Sequence, residues 1–110
     1  MNKIAGLTSY KQSIIKRVVS LVAGEFSVEE GDLFKKSRAT RYSIPRAVAV
    51  GILRKFYGIQ QQILADYFGY VSHSSVAHAV QSVEKRINSE PEVKKIVENI
   101  LYNVKQLEIN

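Results

Sequence analysis

Cysteine is absent from the 110 residues. That excludes a disulfide framework, a thiolate zinc site and a thiol nucleophile together. No run approaches the roughly 18 apolar residues that span a bilayer. The opening residues, Met1 to Gly6, hold no long apolar stretch of the kind that marks a secretory signal. A soluble cytoplasmic protein without a membrane partner is therefore expected. No G-x-x-x-x-G-K-[ST] occurs, so no phosphate cradle for a nucleotide is expected either. The length suits one domain with one modest core and is too short for two.

Acidic residues are missing from one long stretch. Residues 33–65 hold seven basic side chains, Lys35, Lys36, Arg38, Arg41, Arg46, Arg54 and Lys55, and no acidic one. The rest of the chain is nearly balanced, so the formal charge of +6 is the charge of this block. A concentrated cationic block is the electrostatic footprint of a polyanion site. A solvated basic loop without a partner would carry the same charge.

Helical periodicity fills most of what remains. Ile14, Ile15, Val18, Val19 and Val22 form a stripe that predicts a helix over 13–24, with Gly24 as its left-handed stop. Ser27 and Glu30 have capping-box spacing, which predicts a short helix over 28–35. Residues 36–43, KSRATRYS, are polar and aperiodic and read as a loop or arm. Pro45 suits the first turn of a helix ending near Tyr57, with Val48, Ile52 and Phe56 on one face. A shorter helix follows over 60–68, then a Gly69-Tyr70-Val71 turn, then Ser72 as N-cap of a helix carrying Val76, Val80, Val83 and Ile87. Ser89 and Glu92 form a second capping box before a last helix with Val93, Ile96, Val97, Ile100, Leu101, Val104 and Leu107. No β-alternation persists anywhere. The expectation is an all-α bundle of five or six helices spanning 12–110, with residues 1–11 as a flexible tail.

The 60–88 stretch has the layout of a helix-turn-helix, in which the second helix enters the major groove and its first residues meet base edges. At about 100° per residue, Val80, Val83 and Ile87 fall within about 40° of Val76, whereas Ser74, His78 and Gln81 fall roughly 140–160° away. The outward face near the helix start is therefore uncharged and polar. Hydroxyls and amides of this kind suit base-edge contact, although an ordinary solvated face has the same composition. His73 and His78 are five apart, not the four that put two imidazoles on one helical face for zinc, and no acidic residue stands near to complete a site. No G-x-S-x-G elbow supports a serine hydrolase. Neither an enzyme, a metal nor a cofactor is expected.

Lys36-Ser37-Arg38, Pro45-Arg46, Arg54, Phe68-Gly69 and His73-Ser74-Ser75-Val76-Ala77-His78-Ala79 together resemble the C-terminal DNA-binding domain of DnaA, the bacterial chromosomal replication initiator. The resemblance runs from the first helix to the last without a large gap. It implies an all-α, Trp-repressor-like domain containing a helix-turn-helix. It further implies that Arg38 enters the minor groove, that Arg46 and Arg54 lie near the DNA, and that His73, Ser74 and Ser75 open the recognition helix. Two departures stand out. Val71-Ser72 replaces the family's Arg-Asp pair, and both family threonines are serines, which lack the methyl that could pack on thymine.

The expected function is sequence-selective binding of double-stranded DNA at DnaA-box-like sites. Lys35, Lys36, Arg38, Arg41, Arg46 and Arg54 would neutralise phosphates; Ser72, His73, Ser74, Ser75 and His78 would read the major groove. With no room for an ATPase domain, a stand-alone accessory or regulatory factor in replication initiation or transcription is expected, a monomer being favoured. The alternative is a protein-interaction module that kept the fold and lost the reading, which the changes at Val71 and Ser72 motivate.

Overall fold

The computed structural model describes residues 8–34 and 40–109, the side chains of Thr40 and of 107–109 excepted. Among the described residues five α-helices follow one another: α1 Ser9–Phe26, α2 Thr40–Tyr57, α3 Gln61–Phe68, α4 His73–Ser89 and α5 Pro91–Ile109. A 3-10 turn, Glu30–Phe34, stands between α1 and α2. No strand occurs among the described residues. α2 packs on α1 and α4, and α5 closes the bundle by lying against α1 and α4. The stripes read from the sequence point inward, except that Phe56, expected on the same face as Val48 and Ile52, is exposed near the end of α2. Ile14, Ile15, Val18, Val19 and Val22 are buried, as are Val76 and Val83 of α4 and Val93, Val97, Ile100 and Val104 of α5. Burial of such side chains contributes about 1.5–3 kcal/mol each before entropy is counted.

Several helix ends differ from the sequence expectation. α1 starts at Ser9, where the Thr8 side chain accepts from the Lys11 amide at 3.1 Å. Residues 9–11 of the expected tail are thus helical, and 1–7 lie outside the described residues. Gly24 does not stop α1; the chain turns at Ser27 (φ 55°), whose amide reaches back to the Ala23 and Gly24 carbonyls. Ser27 is therefore a C-cap and cannot form the expected capping box. Asp32 supplies the equivalent contact, its Oδ2 accepting from the Glu29 amide at 3.1 Å. Pro45 lies within α2, which begins at Thr40, inside the segment read as loop. A proline at this depth forgoes its amide hydrogen bond and its ring crowds the carbonyl four residues back, a cost of about 3 kcal/mol that the first turn of α2 carries. Ser89 ends α4, its hydroxyl donating to the Lys85 carbonyl at 2.8 Å, and caps nothing in α5.

α2 and α4 approach closely. A Cβ placed on Gly51 would stand 3.1 Å from both Cβ and Cγ1 of Val83, tighter than ordinary van der Waals contact. Only a residue without a side chain leaves Val83 where it is. One turn further on, Lys55 Nζ and Glu84 Oε2 pair at 3.7 Å across the same crossing. α4 is in this way seated on α2 through its middle, which leaves its first turns to project.

Candidate nucleic-acid interface

The helix-turn-helix is formed by α3, the turn and α4. Gly69 takes the left-handed conformation (φ 74°) that a residue with a Cβ adopts only with strain, and Tyr70 donates its amide to the Ala65 carbonyl at 2.9 Å to close α3. The chain then extends at Ser72, whose Oγ accepts from the Ser75 amide at 3.4 Å and starts α4. Among the described residues, no element covers the N-terminus of this helix. Ser72, His73, Ser74, His78 and Gln81 are exposed, Ser75 is half-buried, and Val76 and Val83 face the core. The polar face inferred from helical angles is thus an outward face. No acidic residue occupies the first turn of α4, so the partial positive charge of its amides is not offset there.

The cations divide into two groups. Arg41 is exposed on the first turn of α2, its guanidinium 5.1 Å from the Tyr42 ring centroid. Lys35, Lys36 and Arg38 lie outside the described residues. Arg46 and Arg54 turn inward. Arg46 is only 9% exposed, and its Nε donates to the Leu33 carbonyl at 2.9 Å. Arg54, half-buried at the end of α2, donates from Nη1 to the Ile59 carbonyl at 3.3 Å and braces the connection to α3. Each inward cation is therefore hydrogen-bonded to backbone that shapes the site.

Arg46 joins three parts of the interface. Leu33 belongs to the 3-10 turn from which the cationic segment departs. That turn is fixed to α3 by aromatic packing, with Phe34 stacked on Phe68 at 5.2 Å and tilted against Tyr67 at 5.7 Å. On its other side, Arg46 lines a cleft with Ser43 of α2, Tyr70 of the turn, and Ala79, Ser82 and Arg86 of α4. Burial raises the Tyr70 hydroxyl above its usual pKa, and the Arg46 cation partly opposes that rise. Tyr70 stands two residues before the N-cap of α4. The start of α2, the root of the cationic segment and the turn before α4 are thus neighbours. Sequence reasoning did not single out Ser43, Ser82 or Arg86. Their signal was the α2–α4 crossing, which a local pattern does not carry.

Among the described residues, no group of three or more His, Asp or Glu side chains could hold a metal ion. No described helix is long and apolar enough to cross a membrane.

Residues 15–83 match the family of the bacterial dnaA protein helix-turn-helix. The matched span runs from α1 into the C-terminal half of α4 and includes every candidate residue read from the sequence. Similar curated proteins are chromosomal replication initiator proteins DnaA. That of Onion yellows phytoplasma is 30% identical over 96 residues, covering 87% of this chain and 19% of the relative. That of Nautilia profundicola is 29% identical over 86 residues, 78% of this chain and 20% of the relative. That of Treponema denticola is 26% identical over 106 residues, 96% of this chain and 23% of the relative. The chain spans about a fifth of the length of the curated relatives it matches.

Proposed function

Because the chain belongs to the family of the bacterial DnaA helix-turn-helix, a DNA-binding domain and not an ATPase, we propose that it binds double-stranded DNA with sequence selectivity, at sites of the DnaA-box kind. In this reading Lys35, Lys36, Arg38 and Arg41 neutralise backbone phosphates, with Arg38 entering the minor groove. Ser72, His73, Ser74, Ser75 and His78 meet base edges in the major groove. Arg46 and Arg54, which face inward, hold the segments that present these groups. The protein acts in the cytoplasm or nucleoid as an accessory or regulatory factor of replication initiation or transcription, without ATPase activity of its own.

The observation that carries this reading is the exposed, polar start of α4, joined to the start of α2 through the cleft that Ser43 and Arg46 share with Tyr70, two residues before the N-cap of α4. Phosphate contacts position a protein on the duplex and base contacts specify the sequence, and this reading assigns the first to the start of α2 and the segment before it and the second to the start of α4. The test is fluorescence anisotropy with a duplex enriched from a randomised pool, across a range of salt. Log K should fall with log salt by about 0.9 per phosphate neutralised. R41A should lower that slope by about one such unit on every duplex, whereas S74A should narrow the gap between enriched and random duplex. A stable oligomer indifferent to duplex at low salt would refute the proposal and support the interaction-module alternative.

A further inference from the structure

Four large apolar side chains are exposed among the described residues: Tyr10, Phe56, Val71 and Tyr102. Three belong to the bodies or ends of helices α1, α2 and α5. Val71 alone stands in the turn before α4, immediately ahead of the N-cap, and it is 98% exposed. Isolated apolar residues on a surface are ordinary and need no explanation. The position of Val71 is what gives it meaning. Its neighbours Ser72, His73 and Ser74 are all exposed and polar, and the turn projects with them.

We infer that Val71 packs on the 5-methyl group of a thymine in the major groove and selects that base at one position of the site. This inference rests on the DNA-binding reading above. Among bases of the major groove, thymine alone offers an apolar methyl, and aliphatic side chains are its natural contact. Ser74 and Ser75 carry no methyl group, so Val71 is the exposed aliphatic side chain at this end of the helix. A β-branched side chain is stiff about χ1 and loses little freedom on docking. Its two methyl groups lie almost wholly in water in the free protein, so their burial on DNA is a full gain. Because the side chain packs on so little of the fold, its replacement leaves the bundle intact.

The test pairs a side-chain change with a single-atom-group change in the base. The full chain is used to enrich duplexes from a randomised pool, and each thymine of the enriched site is replaced in turn by deoxyuridine, which lacks only the methyl. At one position the substitution should weaken wild-type binding about fourfold, the worth of one buried methyl group. V71A should weaken binding to the thymine duplex by a similar factor and lose nothing more with deoxyuridine at that position. V71I should retain the wild-type preference. If wild type and V71A lose equal factors at every deoxyuridine, or no thymine is sensitive while the duplex is still bound selectively, the contact does not exist and the DNA-binding reading survives it. If no duplex is bound, the inference and the reading beneath it fall together.

Discussion

Replacing Arg46 separates two roles that net charge alone would confuse. Its Nε–Leu33 bond of 2.9 Å lies in a buried setting. Removing a charged donor from a buried acceptor costs about 1.5–3 kcal/mol, because the Leu33 carbonyl then has no equivalent partner. Truncating the stem also empties space between the 3-10 turn, α2 and Tyr70, which adds a cavity contribution. R46A should therefore destabilise the domain by about 3 kcal/mol. At roughly 4 °C per kcal/mol for a domain of this size, the Tm should fall by about 12 °C. R46K keeps the charge but cannot reproduce the Nε geometry, and should recover less than half of that loss. The assay is thermal unfolding followed by far-ultraviolet circular dichroism, with the salt dependence of duplex binding measured well below the Tm. The R46K salt slope should equal that of wild type. An R46A protein that melts within about 3 °C of wild type, but whose slope drops by about 0.9, would mean that Arg46 faces a phosphate and anchors nothing.

Three other perturbations test the geometry behind the site. G51V drives a side chain into Val83 across the α2–α4 crossing, where a Cβ alone would stand at 3.1 Å; overpacking of this kind should cost about 1–3 kcal/mol, and adding V83A should restore part of it in urea unfolding. S72A removes the oxygen that accepts from the Ser75 amide and should lower stability by about 1 kcal/mol, whereas S72G should cost only a few tenths. Tyr67 and Tyr70 have hydroxyls raised above 10.0 by burial. The folded state thus keeps its protons longer than the unfolded state, so stability is full below about pH 10 and declines as pH rises through the folded values. A Tyr67→Phe, Tyr70→Phe double variant should flatten that alkaline decline in unfolding titrations, and an unchanged profile would assign the decline to other groups.

Much of the helix-turn-helix was legible because its signals are short-range. Gly69 is needed at a left-handed position, Ser72 can reach an amide three residues on, and the Val76 and Val83 stripe fixes which face turns outward. The errors came where a local signal competes with packing. Gly24 has the backbone freedom of a helix stop, yet α1 continues to Phe26, which packs against the core, and Ser27 accepts the left-handed turn. Pro45 suits a first turn, yet it sits buried inside α2, which begins at Thr40 although the proline lacks an amide and its ring crowds the carbonyl four residues back. The hydrogen bonds of Arg46 and Arg54 are not an error of that kind but a feature that charge counting does not carry, since they depend on the carbonyls of Leu33 and Ile59, thirteen and five residues away. The α2–α4 approach at Gly51 is a tertiary fact with no local trace beyond a glycine in a helix.

Sequence-selective binding of the kind proposed requires the start of α2, with the cationic segment before it, and the start of α4 to meet one duplex at the same time. Amide chemical-shift mapping with an enriched duplex tests this most directly. Perturbations should cluster at residues 35–43 and 71–78 together, and both clusters should fade as salt is raised. Perturbations confined to the α1–α5 side around Tyr10 and Tyr102, or to only one of the two clusters, would contradict it.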